Sequence, residues 1–305
     1  MPSYAPIVIF VYNRVNHTRQ TIDALKMNIE APLSDLIIFS DAPKNDDQVE
    51  EVQNVRKYIK TINSFKSIKI IEQKKNLGLA ESIISGVSKV VNEYGKVIVL
   101  EDDMVTSPFF LKYMNEGLER YQSDDAVASI NAYMYPVKET LPEAFFLQMS
   151  DCWGWATWRE SWELFERDGA NLLEKLTKDH LGNSFDLDGN FRYTQMLEEQ
   201  ISGHVNSWAI RWYASTFLHN KLGLYPGISL VHNIGVDGTG VHCPSLAEFD
   251  VSLRKEPISY FPRELQEDAY ARGIVAKHLG GYSSFTSRLK RFVLSKFTPT
   301  AKNKI

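Results

Sequence analysis

Three adjacent carboxylates, Glu101, Asp102 and Asp103, are the residues of this sequence best suited to chemistry. They directly follow a short apolar run at 96–100, whose β-branched residues are typical of a strand buried on both faces of a parallel sheet. In open α/β sheets, ligands bind at the carboxyl ends of strands. Adjacent carboxylates repel one another, so a hard divalent cation, Mg²⁺ or Mn²⁺, is expected here with a phosphorylated ligand. The alternative is an acidic turn on the surface.

Polar side chains also follow the other predicted strands, at the point where each strand ends. They are Tyr12, Asn13 and Arg14 after the first apolar run, Asp41 after the second, and Asn76 after the third. Apolar runs alternate with segments of helical periodicity, which predicts a βαβαβαβ order and a mostly parallel sheet with helices on both faces. The predicted strands are 6–11, 36–40, 67–71 and 96–100.

Helix and strand boundaries follow from apolar spacing and from capping residues. Ile22, Leu25 and Ile29 are predicted to form one face of the first helix. Ser107 and Pro108 indicate that another helix begins soon after the carboxylates. Later in the chain we expect one long helix at 193–218 and a strand at 226–233.

The sequence lacks the glycine-rich signatures of two common nucleotide sites. Neither G-x-G-x-x-G nor G-x-x-x-x-G-K-[ST] follows the first strand, which argues against a dinucleotide dehydrogenase or a P-loop enzyme. The segment 235–240 could wrap its backbone N–H groups around a phosphate, or it could form a plain turn.

Composition narrows the class and the compartment. The chain has 305 residues and a net charge of −4, so the whole molecule is not expected to bind nucleic acid. No apolar run is long enough to span a membrane, and the N-terminus lacks the pattern of a secretory signal. The two cysteines, Cys152 and Cys243, match no metal-binding spacing and fit a reducing cytoplasm.

Tryptophans cluster around one glycine, in the order Trp153, Gly154, Trp155, Trp158. Flat rings beside a glycine can line a pocket for a sugar, whose apolar C–H faces stack on them. The alternative is packing in the core, which is the prediction for Trp158 and for Trp162. For Trp153 and Trp155 both interpretations stay open.

Two histidines, His232 and His242, lie on and after the late predicted strand. A single histidine is more often a structural hydrogen-bonding residue than a metal ligand. A cation held by carboxylates still needs further ligands, so both histidines are candidates for the metal site.

The composition changes near residue 256, which divides the chain into a predicted catalytic domain, 1–255, and a helical extension, 256–305. The last 23 residues, 283–305, contain six Lys or Arg residues and no Asp or Glu. Leu289, Phe292, Val293 and Phe297 fall on one helical face. Such a basic amphipathic helix can lie on an anionic membrane surface, or it can pack on the domain.

Five segments, taken in order, resemble the GT-A nucleotide-sugar glycosyltransferases. The resemblance is closest to the N-acetylglucosaminyltransferase I family and to bacterial family 2-like sugar transferases, and it covers most of residues 5–245. The segments are PIVIFVYNR at 6–14, IIFSDAP at 37–43, VIVLEDDMVTSPFFLKYM at 97–114, WGWATWRESW at 153–162 and PGISLVHNIGVDGTGVHC at 226–243. The resemblance implies a GT-A-like, Rossmann-like α/β fold.

The resemblance also implies roles for single residues. Asp103 would bind Mn²⁺ or Mg²⁺ between the two donor phosphates, Asp102 would contact the ribose or the metal's waters, and Glu101 would contact the donor sugar. Arg14 and Asp41 would hold the uracil. The remaining implied donor contacts come from Tyr12, Asn13, Asn76, Trp153, Gly154 and Trp155, and from a loop over the β-phosphate that includes Gly238 and Gly240.

One departure concerns the general base. In the family it is an aspartate in a Trp-Asp-Asp-Trp segment, but the matching stretch here, 205–210, contains no carboxylate. An inverting displacement still requires deprotonation of the acceptor hydroxyl. The substitutes are Asp151, Glu198, Glu199 and Asp237; alternatively, the enzyme retains configuration and uses no such base.

The sequence therefore predicts a metal-dependent glycosyltransferase that uses a nucleotide-sugar donor, with UDP as the nucleotide. The expected acceptor is a glycan, lipid-linked if the basic tail contacts a membrane, in bacterial surface polysaccharide or glycoconjugate synthesis. The expected location is the cytoplasm, at the inner face of the membrane. The alternatives are a sugar-phosphate nucleotidyltransferase, which needs a glycine-rich loop after the first strand, and a non-catalytic nucleotide-sugar-binding module.

Overall fold

A mixed sheet of eight strands organises the computed structural model, which describes residues 4–236 and 249–283. In chain order the strands are β1 Ile7–Val11, β2 Asp35–Ser40, β3 Ser67–Glu72, β4 Lys96–Glu101, β5 Met104–Thr106, β6 Val127–Asn131, β7 Ala144–Leu147, β8 Trp155–Trp158, β9 Leu222–Pro226 and β10 Val231–Asn233. The helices are α1 Val15–Lys26, α2 Val49–Ile59, α3 Gly78–Tyr94, α4 Phe110–Arg120, α5 Arg159–Trp162, α6 Gly169–Lys178, α7 Gly182–Phe185, α8 Tyr193–Ile201, α9 Trp208–Leu218 and α10 Ala269–Ser283.

The strand order in the main sheet is β3-β2-β1-β4-β8-β6-β9-β7. The first four strands pair in parallel, whereas β8 pairs antiparallel with both β4 and β6. As a result β6 runs in the same direction as β4, and the two strands end at the same edge of the sheet. The short strands β5 and β10 pair antiparallel in a second, two-stranded sheet. The predicted α/β class with a mostly parallel central sheet is confirmed.

Helices cover both faces of the sheet, because alternate residues of the inner strands are apolar in both directions. On β1, Ile7 and Ile9 belong to a core cluster that includes residues of α1, α2 and α4. Val8 and Phe10 point the other way, into a cluster that includes α3 and several tryptophans. A third cluster, under β7 and β9, contains residues of α6, α8, α9 and α10.

Several predicted boundaries are corrected by the structure. α1 ends at Lys26, so Ile29 lies beyond it and is 80% exposed. The long helix expected at 193–218 is two helices, because Gly203 adopts a positive φ of 76° after α8 and Ser207 caps α9. The late strand predicted at 226–233 is shorter, since β10 covers only Val231–Asn233 and Pro226 is the last residue of the preceding strand, β9.

The carboxylate triplet is not followed directly by a helix. The strand β5 comes first, and α4 begins at Phe110, after Ser107 has accepted a hydrogen bond from the backbone N–H of Phe109. The pairing of β5 with β10 then brings residues 231–233 beside residues 104–106. A late part of the chain is thus placed next to the triplet.

The described part of the C-terminal segment packs on the rest of the chain. The ring of Phe261 stacks on Tyr113 of α4, and Ala271, Val275 and Leu279 of α10 are buried in the third core cluster. Within residues 4–236 and 249–283, no helix is long and apolar enough to cross a membrane. The predicted basic helix at 283–305 lies almost wholly outside the described residues.

Candidate active site

Arg14 bridges two of the three predicted acids. Its Nη2 atom lies 2.6 Å from Oδ1 of Asp102 and 2.6 Å from Oδ2 of Asp103. Asp102 is 5% exposed and Asp103 is 7% exposed, so both carboxylates are buried. The structure therefore brings the end of β1 and the end of β4 together around a buried cluster of charges.

The backbone around the triplet is fixed by hydrogen bonds from α1 and from the end of β1. Thr21 of α1 donates its hydroxyl proton to the carbonyl oxygen of Asp102 at 2.9 Å. The backbone N–H of Tyr12 donates to Oδ2 of the same residue at 3.4 Å. Glu101 is the last residue of β4 and pairs with Phe10 of β1. These contacts set the direction in which Asp102 and Asp103 leave the sheet.

The turn after β10 closes over Asp103. The backbone N–H of Ile234 donates to the carbonyl oxygen of Asp103 at 2.9 Å. A Cβ atom placed on Gly235 would lie 2.0 Å from Oδ2 of Asp103 and 3.0 Å from Nη1 of Arg14. Glycine is therefore required here, because any larger residue would displace the carboxylate or the guanidinium.

The electrostatics of the cluster are dominated by burial. Burial raises the pKa of the Glu101 carboxyl well above its ordinary range, and the charges of Asp103 and Asp102 raise it further. Burial also raises the pKa of Asp102 to about 6, against the opposing effect of Arg14. Burial lowers the pKa of Arg14, but the two carboxylates outweigh that effect and raise it overall. Additional positive charge would stabilise this cluster.

The cluster fits a hard divalent cation. Oδ1 of Asp103 is buried and has no hydrogen-bond partner within the described residues, and carboxylate oxygen is the ligand that Mg²⁺ and Mn²⁺ prefer. The described residues contain no group of three or more His, Cys, Asp or Glu side chains arranged to hold a metal. A Mg²⁺-like ion needs only one or two protein carboxylates when phosphate and water complete its coordination.

His232 lies beside this cluster but is engaged elsewhere. It pairs with Val105 across the two-stranded sheet. Its Nε2 atom lies 3.1 Å from Oδ1 of Asp250. If Nε2 keeps this contact, Nδ1 is the ring nitrogen that would have to bind a metal. Four other candidates, Asp237, Gly238, Gly240 and His242, lie outside the described residues.

Asp41 is used by the chain itself. Its carboxylate accepts hydrogen bonds from the backbone N–H groups of Ala42 at 2.8 Å, Leu77 at 2.9 Å and Gly78 at 2.9 Å, and from the Asn76 side chain at 3.1 Å. A carboxylate has about four lone-pair positions, and four donors use them. This geometry does not support the expectation that Asp41 holds the uracil by accepting a hydrogen bond from it. It instead makes Asp41 the residue that positions Asn76 and the start of α3.

Tyr12 and Asn13 are held by the segment that leads into α2. The Tyr12 hydroxyl donates to Oε1 of Gln48 and accepts from the backbone N–H of Lys44. The Asn13 amide donates to Oε2 of Glu51 at 2.6 Å. Both residues stand at the carboxyl end of β1, as predicted, and both are partly exposed.

The prediction that Trp155 lines the donor pocket is wrong, because its side chain is completely buried. Its ring packs on Trp162, Trp208 and Trp212, with centroids 5.3–5.9 Å apart. The core positions predicted for Trp158 and Trp162 are confirmed.

Trp153 and Gly154 lie at the edge where β4 ends, since β8 runs antiparallel to β4. Trp153 is half-buried and meets Tyr133 and Phe249 edge to face, with centroids 4.6 and 5.7 Å apart. Gly154 has a φ of +67°, a conformation that other residues rarely adopt, and a Cβ atom there would lie 3.2 Å from the ring of Phe110. Both residues therefore remain candidates for a donor site.

Asp151 is held at the same edge of the sheet. Its backbone N–H donates to Oδ1 of Asn131, the last residue of β6, at 3.0 Å. Its own Oδ1 accepts from the backbone N–H groups of Cys152 at 2.6 Å and Trp153 at 3.0 Å. Burial raises the pKa of Asp151 to about 6, although these two bonds oppose the shift.

The negative charge of Asp151 acts on three tyrosines from separate segments of the chain. Burial raises the pKa of Tyr135, Tyr193 and Tyr225, and the charge of Asp151 raises each pKa further. The hydroxyl of Tyr225 is buried and has no hydrogen-bond partner within the described residues. Sequence analysis missed these tyrosines and Asn131, because they come from separate segments and no common spacing marks them.

Glu198 and Glu199 are placed less favourably than Asp151. Glu198 is exposed, and Glu199 accepts a hydrogen bond from Gln195 at 2.8 Å on the surface of α8. Glu199 lies roughly 9 Å along the helix axis from Tyr193, the first residue of α8. Of the described substitutes for the missing base, Asp151 alone is bonded to residues at the edge where β4 and β6 end.

The family is established by sequence comparison. The family model described as Glycosyl transferase family 2 matches residues 7–179, more than half of the 305-residue chain. The chain therefore belongs to glycosyl transferase family 2. The match includes Arg14, Asp41, Asp151 and the carboxylate triplet. A search of curated proteins finds no relative of this chain.

Two solved structures show low similarity to this chain. One is the mannosyltransferase PcManGT from Pyrobaculum calidifontis in complex with GDP-Man and Mn²⁺, with 13% identity, a TM-score of 0.38, and coverage of 70% of this chain and 75% of that one. The other is a UDP-glucose pyrophosphorylase complexed with UDP-glucose, with 12% identity, a TM-score of 0.37, and coverage of 73% and 90%.

Proposed function

We propose that this family 2 glycosyltransferase moves a sugar from a UDP-sugar to a hydroxyl group of a glycan acceptor, with Mn²⁺ or Mg²⁺ held by Asp103 and Asp102. The observation that carries the proposal is the buried pair of carboxylates at the end of β4, in which Oδ1 of Asp103 has no hydrogen-bond partner among the described residues. Such an ion would offset the negative charge that the leaving diphosphate gains in the transition state.

The side chains of this site then have distinct tasks. Asp102 and Asp103 fix the phosphate end of the donor, while Trp153 and Gly154 border the space for the sugar. Asp41 positions Asn76 and the first turn of α3 through its four hydrogen bonds. Holding the donor in one orientation is itself a large part of catalysis, because reacting atoms must meet in a narrow geometry.

Asp151 is the residue to which we assign the general base. The acceptor oxygen would attack the anomeric carbon and give its proton to the Asp151 carboxylate, while the bond from that carbon to the diphosphate oxygen breaks and UDP leaves. A base works best when its pKa is near the working pH, and burial raises the pKa of Asp151 to about 6. This assignment implies inversion of configuration.

UDP is proposed on the resemblance of the segments 6–14 and 37–43 to the uracil-contacting segments of GT-A enzymes. Because Asp41 is saturated, we expect the base to be read by Asn76 and by backbone groups near it rather than by Asp41. The proposed donor sugar is a hexose or an N-acetylhexosamine. The resemblance to N-acetylglucosaminyltransferase I within this class stays a prediction.

The proposed acceptor is a growing surface glycan or glycoconjugate, lipid-linked if the basic C-terminal segment contacts a membrane. The charge of that segment, six Lys or Arg residues and no acidic residue in 283–305, supports the proposal. The enzyme would then act at the cytoplasmic face as a peripheral protein.

The test is product analysis with a panel of UDP-sugars and glycan acceptors, in Mn²⁺ and in Mg²⁺. We expect UDP release that depends on both metal and acceptor. Release of pyrophosphate from a sugar phosphate and a nucleoside triphosphate would instead identify a nucleotidyltransferase. Tight UDP binding without turnover across the panel would identify a binding module. Melting shifts with UDP, GDP and dTDP test the base, and equal shifts would contradict the UDP assignment.

A further inference from the structure

Arg14 occupies the position between the two carboxylates that a cation would need. We propose that Arg14 competes with the metal for Asp102 and Asp103, and that the diphosphate of the nucleotide relieves this competition by drawing Arg14 to itself. Metal and nucleotide would then bind cooperatively. This inference rests on the proposed function, since it concerns the same site and the same diphosphate.

The guanidinium of Arg14 is already bonded to both carboxylates that the metal would use. Both hydrogen bonds that this guanidinium donates to the described residues start from one atom, Nη2, and end on Asp102 and Asp103 at 2.6 Å. A divalent ion that binds these carboxylates would carry the same sign of charge as the guanidinium. The two cations repel strongly at such short distances in a buried site, so one must move when the other binds.

The guanidinium has a nearby alternative partner once a nucleotide is bound. Arginine presents five N–H donors in a planar fork that matches phosphate bidentately. The side chain of Arg14 is 22% exposed, against 6% for Asp102 and 10% for Asp103, so it is the most accessible of the three charged groups. A diphosphate in front of the carboxylates can form an ion pair with Arg14, while the metal binds the carboxylates in its place.

The exchange avoids an unpaired buried charge at each stage. Without Arg14 or a metal, Asp102 and Asp103 would be adjacent, buried and mutually repulsive, which is strongly destabilising. Arg14 thus stabilises the carboxylate pair in the free enzyme and weakens the binding of metal alone. Because coupling between two ligands is reciprocal, the metal must then raise the affinity for the nucleotide by the same factor.

The experiment measures Mn²⁺ binding by calorimetry, without and with UDP, for the wild type and three variants. Arg14→Met removes the competing charge, and Arg14→Lys keeps the charge without the fork. Arg19→Met is the matched control, because Arg19 lies on α1, the helix that directly follows Arg14, and is exposed over the ring of Tyr58. We expect Arg14→Met to bind Mn²⁺ alone about tenfold more tightly than the wild type, and UDP to improve its Mn²⁺ affinity much less.

We expect Arg14→Lys to fall between the wild type and Arg14→Met, and Arg19→Met to match the wild type. Arg14→Met should also gain more in Tm from Mn²⁺ alone than the wild type does, which gives a second readout if the variant is less stable. Equal or weaker Mn²⁺ binding by Arg14→Met and Arg14→Lys, without UDP, would overturn the inference. Failure of UDP to bind the wild type with Mn²⁺ would contradict the proposed function instead, and the two failures are separable because the first uses metal alone.

Discussion

At the scale of single residues, burial sets the pKa values of the carboxylates in this site more than neighbouring charges do. Asp102 and Asp151 show this most clearly, since burial raises the pKa of each to about 6 although each has partners that oppose the shift. A charged group that is buried and only partly compensated is frequently one that a protein retains for chemistry. The predictions at this scale therefore concern carboxylates.

Replacing Asp151 with Asn should keep the fold, because an amide oxygen can still accept from Cys152 and Trp153. It should lower kcat/KM by roughly 10²–10⁴ and abolish an acid limb with an apparent pKa of about 6. In the wild type, the pKa of the Asp151 carboxyl is higher in the folded state than in the unfolded state. Its ionisation therefore reduces the stability of the wild type as the pH rises from about 3.8, and the full cost is reached above about pH 6. The variant should therefore be more stable than the wild type at pH 7, by at most about 3 kcal/mol, and the difference should shrink as the pH falls toward 4.

The comparison variants for Asp151 are Glu198→Gln and Glu199→Gln, which remove a carboxylate from the surface of α8. Both should keep wild-type activity and the wild-type pH profile. The measurements are steady-state kinetics and denaturant unfolding, each across pH 4–8. A fully active Asp151→Asn enzyme, or loss of activity in Glu198→Gln alone, would contradict the assignment of the base.

At the scale of elements, the chain uses distant residues to fix the ends of helices and strands. Asp41, at the end of β2, satisfies the first backbone N–H groups of α3. Replacing it with Ala should reduce the free energy of unfolding by about 1–2 kcal/mol, because those backbone donors lose their partner. Asp46→Ala, at an exposed position, is the control and should change stability little. Equal stability of the two variants in urea would contradict this role.

A second element, the turn after β10, is predicted to shape the metal site through Gly235. Gly235→Ala would place a Cβ atom 2.0 Å from Oδ2 of Asp103, so we expect weaker binding of Mn²⁺ and of UDP. Gly273→Ala is the control, because nothing in the described structure lies within 4 Å of a Cβ atom there. Calorimetry that finds unchanged ligand affinity in Gly235→Ala would show that the turn does not constrain the carboxylate.

The elements also show what the sequence can and cannot predict. The four parallel strands and α1 to α3 follow from apolar periodicity, and the triplet was placed correctly at the end of β4. The sequence leaves two positions for Trp155, a pocket or the core. A tryptophan in a strand gives the same local pattern in both, and only the packing of Trp208 and Trp212 against it distinguishes them. The saturated carboxylate of Asp41 and the tyrosines around Asp151 depend on contacts between distant segments, which local patterns do not contain.

At the scale of the whole molecule, the net charge of −4 contrasts with a basic C-terminal segment. Each Lys or Arg near an anionic surface contributes about 1 kcal/mol of attraction, and this attraction weakens as salt increases. We predict that the full chain binds anionic vesicles in co-sedimentation and that a chain ending at Tyr282 does not. Equal binding of the two chains, or binding by neither, would remove the support for a lipid-linked acceptor.

The most direct test of the central claim is calorimetric titration of UDP into the wild type, with and without Mn²⁺, and into Asp103→Asn and Asp125→Asn. Asp125 is an exposed aspartate distant in sequence from the site residues and serves as the control. The account predicts that Mn²⁺ strengthens UDP binding to the wild type and to Asp125→Asn, and that Asp103→Asn loses this effect while keeping its Tm within a few degrees. Undiminished, Mn²⁺-dependent binding of UDP by a folded Asp103→Asn would contradict it.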